Sequence, residues 1–534
     1  MKNQVFKFKL LLAIALVMLF VSVEVSANVK YIRLSYRDDP STTIVIGWSN
    51  DGTSTNAKVY FGTTDFGATW SSYSDNHGID ATNNFRGLTN NYARLTGLTP
   101  NTVYYFVIKD DQGVSARYSF KTISDNENDT IKFISGGDTR TGAPLVEASD
   151  CRARRQNGNR LVGKIRPDFV SFTGDFIFKE NIFQINQFWA EWLEDWTLTY
   201  GPDGRIAPCC GSFGNHEVNE DLTNFFDITN SDNYYALNFG GKLLRLYTLK
   251  SDESVSACDN TAQLNWFQND LQAHTSTSVE PFWKFIQYHI PMVPHGYYSP
   301  NQPQIDCWAN YFQQYKIRLS MDGHTHVVKY TWPIVPSNAG GSEKGFIEDT
   351  INGTVYIGEG TWGAPLRSNY SPNSWTRDQG SFDAFQVVFV SKFVTKVNTV
   401  KFENISTVGQ LTDADSKWVL PTDISVWTPA NGASVILKNP DYSGIQNRHN
   451  VTYLSSVYPN PASNTINIGF NNSDKVKKAT VTICNGMAKV MRSFEVKDFR
   501  NVIKTDISDL PTGTYFIYIK YSDNIECHKI IIAH

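Results

Sequence analysis

Residues 131–140 read IKFISGGDTR and residues 169–175 read FVSFTGD. Each is a short apolar run closed by glycine and then aspartate. A continuous apolar run bounded by turn residues marks a strand buried on both faces, as parallel α/β sheets require. Residues 283–288 and 317–321 repeat the run, and the stretches between, such as 181–196 and 262–273, are long enough for helices or long loops. The pattern predicts an α/β domain over residues 131–402, with β-rich text at 385–394 and 397–402.

On the amino-terminal side, residues 28–124 alternate short β-type runs with turn signals, which predicts a β-sandwich. Within it LTGLTPNTVYY, residues 95–105, sets a turn before an aromatic strand and resembles the corresponding corner of fibronectin type III domains. Residues 124–130, SDNENDT, read as a polar linker, and residues 403–450, rich in Asp, Asn, Pro and Ser, read as an irregular extension or linker. Residues 451–534 alternate again and predict a small C-terminal β-sandwich.

Composition narrows the function classes. The 534 residues carry a formal net charge of −4, with 19% charged and 13% aromatic residues. No basic stripe of the kind nucleic-acid binding needs is present, and collagen, coiled coil and disorder are excluded. Lys2, Lys7 and Lys9 precede an apolar run at 10–21, followed by Val25-Ser26-Ala27, so residues 1–27 predict a cleavable export signal. No second apolar stretch is long enough to span a membrane, so none is expected in the mature chain. Seven cysteines in an exported chain leave at least one unpaired. The pairing stays open, though Cys484 and Cys527 could staple the C-terminal sandwich, and adjacent Cys209 and Cys210 are too close to bond to each other.

Five blocks in the α/β domain supply potential metal ligands: Gly137-Asp138 with Arg140, Gly174-Asp175, Gly214-Asn215-His216-Glu217, His289, and Gly323-His324-Thr325-His326. Four follow apolar runs directly, and ligands of α/β sheets gather beyond the carboxyl ends of strands. Glycine before the polar residue permits a sharp turn and close approach. Taken singly, a Gly-Asp pair is a common turn, an HxH pair has mundane uses, and His289 reads equally as a core histidine. Taken in order, the blocks hold four of the ten histidines. Oxygen and nitrogen donors without thiolate suit Fe, Mn or Zn. His295, six residues after His289, is a second candidate acid beside His216. Residues 358–363, GEGTWG, form a pocket wall or a tight structural turn.

The order GD, GD, GNH, H, GHxH resembles that of calcineurin-like metallophosphoesterases. With DPSTT at residues 39–43 in the preceding sandwich, the chain is most similar to the purple acid phosphatase branch over residues 28–402. The resemblance implies an α-β-β-α layered catalytic domain holding two divalent or trivalent metal ions. By resemblance Asp175 bridges them, Asn215, His289 and His324 complete one shell, Asp138 and His326 hold the other, and His216 stands beside the phosphate. Two positions depart from the pattern. Phe178 occupies the place of the tyrosine that colours the purple enzymes, and Arg140 the place of a histidine ligand in other members. Arg140 either clamps a phosphate oxygen or forms a structural ion pair. YPNPA at residues 458–462 and DLPTGTY at 509–515 resemble the type A sorting domain of the type IX secretion system, which implies transport through the periplasm and outer membrane to the cell surface or medium. The expected function is a secreted phosphomonoesterase acting on phosphate esters through a metal-activated hydroxide. The alternatives are a phosphodiesterase on the same site or a catalytically weak surface-binding scaffold.

Overall fold

A computed structural model of the chain describes residues 27–50, 55–141, 145–179, 184–251, 258, 260–439, 455–470, 478–485, 489–497, 502–521 and 525–534. The export signal expected at 1–27 lies outside the described residues except for Ala27. Two compact units emerge, Met1–Gly444 and Ile445–His534. Among the described residues no helix is long and apolar enough to cross a membrane.

The first unit opens with two four-stranded sheets. One runs Lys30–Ser35, Ile44–Asn50, Leu88–Leu95, Ala81–Phe85, and the other Asp75–His77, Lys58–Gly62, Val103–Lys109, Tyr118–Lys121. Alternation along each strand buries Ile46, Trp48, Phe106 and Phe120 between them. At the turn-plus-aromatic corner, the Thr99 N–H donates to the Tyr104 hydroxyl at 2.9 Å.

The α/β part holds two larger sheets. The first has the order Cys209–Gly211, Phe169–Phe172, Ile131–Gly136, Ala384–Val390, Val394–Lys401, Ser434–Lys438. Its first three strands are parallel and the rest antiparallel. The second has the order Tyr235–Phe239, Leu244–Thr248, Trp283–Gln287, Ile317–Met321, Val355–Gly358, Val328–Thr331, Thr376–Gly380, and its Leu244, Trp283, Ile317 and Val355 strands are parallel. Gln287 ties the sheets together, accepting from Ser171 Oγ and donating to the Cys210 carbonyl at 3.0 Å. Helices cover the outer faces. Ile185–Trp196 repeats apolar residues at helical spacing and buries Ile185, Trp189, Trp192, Leu193 and Trp196 toward the first sheet. Thr261–Ala273 sets Phe267 against Tyr247 of the second. Helix Leu145–Ile165 was not singled out by the sequence reading.

Of residues 403–450, expected as an irregular extension or linker, 403–439 pack on the α/β part as an extension. Ser434–Lys438 forms the outer strand of the first sheet, Trp418 stacks on Phe389 at 5.7 Å, and Trp427 packs on Tyr330 at 5.4 Å. Polar composition left the choice open because apolar anchors are few and widely spaced.

Cys258 and Cys307 form a disulfide, while Cys151, Cys209, Cys210, Cys484 and Cys527 are free. The staple expected between Cys484 and Cys527 is absent for a geometric reason. Their strands, Ala479–Asn485 and Ile525–Ile532, lie on opposite sides of Gly513–Lys520. Two strand spacings amount to about 9.5 Å, beyond disulfide reach.

The second unit is a β-sandwich of three and four strands with its own core, including Ile466, Ile468, Val481, Ile483, Ile517, Ile519 and Ile532. Both of its motifs act as fasteners. Asn460 accepts from the Ile531 N–H at 2.8 Å and donates to the Lys529 carbonyl at 3.0 Å, and the Tyr515 hydroxyl donates to the Pro511 carbonyl at 2.9 Å.

Candidate metal centre

Six parallel strands from the two sheets end on one another. Past their carboxyl ends lie Asp138, Asp175, Asn215, His289, the His324–His326 turn and Glu359. Four of these side chains leave the backbone in the left-handed region: Asp138 (φ 59°), Asp175 (56°), His324 (80°) and His326 (57°). That conformation costs a non-glycine residue roughly 1–2 kcal/mol and persists where surrounding structure holds it. Glycines make the crowding possible. A Cβ at Gly214 would lie 2.4 Å from Asp175 Oδ1, and one at Gly360 would lie 1.7 Å from Asp138 Oδ2.

The candidate ligands form two groups with Asp175 between them. In one, Asn215 Oδ1 lies 2.9 Å from His289 Nε2 and 3.0 Å from His324 Nδ1, and His289 Nε2 lies 3.2 Å from Asp175 Oδ1. In the other, Asp138 Oδ1 and His326 Nε2 face each other at 3.2 Å, both buried and with no further hydrogen-bond partner among the described residues. Ligand atoms of Asp138, Asp175 and His326 all lie within 4.8 Å of one another. Buried donor atoms of these types, converging without thiolate, fit a hard or borderline metal ion.

Second-layer contacts aim the imidazoles. His289 Nδ1 bonds the Thr173 carbonyl at 2.9 Å and His326 Nδ1 the Pro365 carbonyl at 2.7 Å, which leaves each Nε2 turned to the cluster. Glu217 accepts from the N–H groups of Asp175 (2.9 Å), Phe176 (2.8 Å) and Gly214 (2.8 Å), joining two ligand loops. Glu359 does the same on the far side. It takes the Thr325 hydroxyl, the His295 N–H and Lys329 Nζ, while its carbonyl accepts from the His326 N–H at 2.8 Å.

Charge follows from this packing. Burial alone would raise Asp175, but His289, His216 and Arg140 outweigh it and hold the carboxylate well below its usual range. Burial lowers His289, yet the Asp175 and Asp138 charges overcome that and push it up to about 10. Burial together with the neighbouring His289 charge lowers His324 to about 2.

Two arginines flank the cluster in matching stacks. Arg140 lies over the Phe178 ring at 5.2 Å, and Phe178 packs on His216 at 5.1 Å. Arg367 lies over Tyr298 at 5.1 Å, and Tyr298 packs on His324 at 4.3 Å with ring planes 32° apart. Arg140 Nε stands 3.7 Å from Asp175 Oδ2, buried and without a hydrogen bond among the described residues. His216 Nε2 lies 3.7 Å from the same oxygen, and its N–H donates to Asp175 Oδ1 at 3.1 Å.

His295 is the predicted residue that the structure does not bring into this group. Its Nδ1 is 3.1 Å from Glu359 Oε1 and its Nε2 2.8 Å from Thr376 Oγ1, so both ring nitrogens are engaged in a buried network. The 358–363 turn is thereby structural and also supports the cluster. Tyr298 escaped the sequence reading; Glu217 and Glu359 entered it only as members of GNHE and GEGTWG, and Arg367 only as an isolated arginine that could touch substrate.

Residues 144–328 match the calcineurin-like phosphoesterase family profile. The central domain is similar to the calcineurin-like phosphoesterases. The match takes in Asp175, Asn215, His289, His324 and His326 of the phosphoesterase domain, and Asp138 lies just before it. Residues 29–122 match the purple acid phosphatase N-terminal domain and residues 456–533 the secretion system C-terminal sorting domain. Among solved structures, the purple acid phosphatase PPD1 from yellow lupin (Lupinus luteus) seeds is 17% identical, with 72% of this chain and 73% of that one covered at a TM-score of 0.57. PhoD is 11% identical, with 77% and 91% covered at a TM-score of 0.54. At these identities the likeness is one of fold. Two uncharacterized proteins of Mycobacterium tuberculosis are each 23% identical over 340 residues, 57% of this chain and 62% of their own length. The alignment thus spans less than two thirds of those relatives.

Proposed function

We propose that the protein is an exported, metal-dependent phosphomonoesterase of acid-phosphatase type. The observation that carries this reading is the pair Asp138 Oδ1 and His326 Nε2, buried, 3.2 Å apart beside Asp175 and with no other partner among the described residues. In this reading Asp175, Asn215, His289 and His324 would hold one metal ion, and Asp138 and His326, with Asp175, a second. Bound there, the ions would supply Lewis acidity toward phosphoryl oxygens and a water of lowered pKa. The chain's own groups do the rest. Arg140 offers a buried charged donor to a non-bridging phosphate oxygen. His216, fixed by Phe178 and by its backbone bond to Asp175, donates to the phosphoryl or leaving oxygen. Glu217 and Glu359 keep the ligand loops in register. The sorting-domain match at 456–533 supports delivery by a type IX secretion machinery.

The test is hydrolysis of p-nitrophenyl phosphate and its bis-ester by the full chain supplied with Fe, Mn or Zn. Monoester turnover abolished by chelator is expected, with Asp175→Ala and His324→Ala losing both metal and turnover. Variants that keep both would refute the site, and faster bis-ester hydrolysis would make the protein a phosphodiesterase.

A further inference from the structure

Arg140 has a task in the phosphomonoesterase reading, whereas Arg367 has none. Its backbone is pinned on both sides. The N–H donates to the His326 carbonyl at 3.2 Å, and its own carbonyl accepts from Ser381 Oγ at 2.7 Å. Its head group is held differently. The guanidinium lies on the Tyr298 ring and reaches the His324 carbonyl only at 3.5 Å, and no carboxylate stands within ion-pair distance of it among the described residues. Cation–π packing fixes the plane of a guanidinium while leaving its N–H fork available, and that fork matches a phosphate or carboxylate in two-point contact.

The charge balance points the same way. Asp138, Asp175 and one dianionic phosphoryl group do not offset two divalent ions plus the Arg140 and Arg367 guanidiniums. Arg140 sits on the Asp175 and His216 side of the cluster and Arg367 on the His324 and His326 side, so the two charges are not redundant. We infer that Arg367, oriented by Tyr298, binds a second phosphoryl group of the substrate, so that the preferred substrates carry another phosphate next to the one removed. This rests on the phosphoesterase reading above and specifies its substrate class.

Imidodiphosphate, a non-hydrolysable mimic of two adjacent phosphoryl groups, and orthophosphate are the probes. Their binding to the metal-loaded full chain is measured by calorimetry for wild type, Arg367→Ala and Arg367→Lys, with metal content read on the same samples. A charge-assisted contact of this kind corresponds to roughly tenfold or more in affinity. The wild type is expected to prefer imidodiphosphate by that margin. R367A should lose most of the preference while keeping its metal, and R367K should recover part of it. A preference that survives in R367A overturns the inference. So does a preference lost together with the metal, since Arg367 would then be a support of the His324–His326 turn. A wild type that loads metal but binds neither anion removes the phosphoesterase reading and this inference with it.

Discussion

His289 shows how buried charge is balanced within the cluster. Its Nε2 faces Asp175 Oδ1 at 3.2 Å, and the Asp175 and Asp138 charges push it up to about 10 against the effect of burial, which predicts a protonated imidazole at neutral pH. A metal ligand must give up that proton. Because the raised value lies well above 7, loading near neutrality should release about one proton from this residue, and affinity should climb as pH rises toward 10. Calorimetry in buffers of differing ionisation enthalpy reads the release directly. Metal uptake without proton release would mean that His289 is not a ligand. The residues of the cluster were legible because each block carried an Asp, Asn or His behind a glycine or an apolar run. Their supports were less so. Glu217 stood in plain view, but three backbone N–H groups reaching one carboxylate leave no mark in sequence. His295 looked catalytic for its spacing from His289, and only the fold reveals Glu359 and Thr376 on its two nitrogens.

Among the elements, helix Asn219–Phe226 follows the Asn215-His216-Glu217 turn directly, and the N-terminal sandwich grips it along its length. Arg86 pairs with the buried Asp221 at 2.8 Å, Arg94 and Arg37 pair with Asp227 at its end at 2.7 and 2.9 Å, and Arg33 and Tyr92 reach the carbonyls of Phe225 and Asn224. Asp221 also accepts the Val218 N–H at 2.9 Å. Arg86→Ala would strand that carboxylate in the interior, and stability should fall by about 3 kcal/mol or more. Thermal melting checks the loss, and metal titration of the same variant should show weaker binding, because the turn carrying Asn215 loses its anchor. The elements legible from sequence were the apolar strands at 131–136, 169–172, 283–287 and 317–321. Helix Leu145–Ile165 was not, because its text is rich in arginine and interrupted by Gly158 and Gly163. Those glycines answer to packing. A Cβ at Gly158 would lie 2.5 Å from Trp362 Nε1, and one at Gly163 would lie 2.6 Å from the Tyr200 carbonyl.

For the molecule as a whole, the division into Met1–Gly444 and Ile445–His534 and the separate core of the second unit predict that the chain can be cut between them. A form ending at residue 444 should melt cooperatively and load metal as the full chain does. A form ending at residue 402 should not, since it lacks the Ser434–Lys438 strand and the Trp418 and Trp427 contacts. Comparing the two by calorimetry decides whether 403–439 is part of the domain. The placement of Ile131–Gly136 has a further consequence for timing. Its neighbours are Phe169–Phe172 on one side and Ala384–Val390 on the other, and the sheet closes only with Ser434–Lys438. Pairings so far apart along the chain form late, because loop closure must precede any gain from contact. A polypeptide threaded amino end first across a membrane therefore emerges with the strand that delivers Asp138 still half-paired. The ion site is completed only after the last strand has followed, and the compartment in which that happens sets which metals the protein meets first.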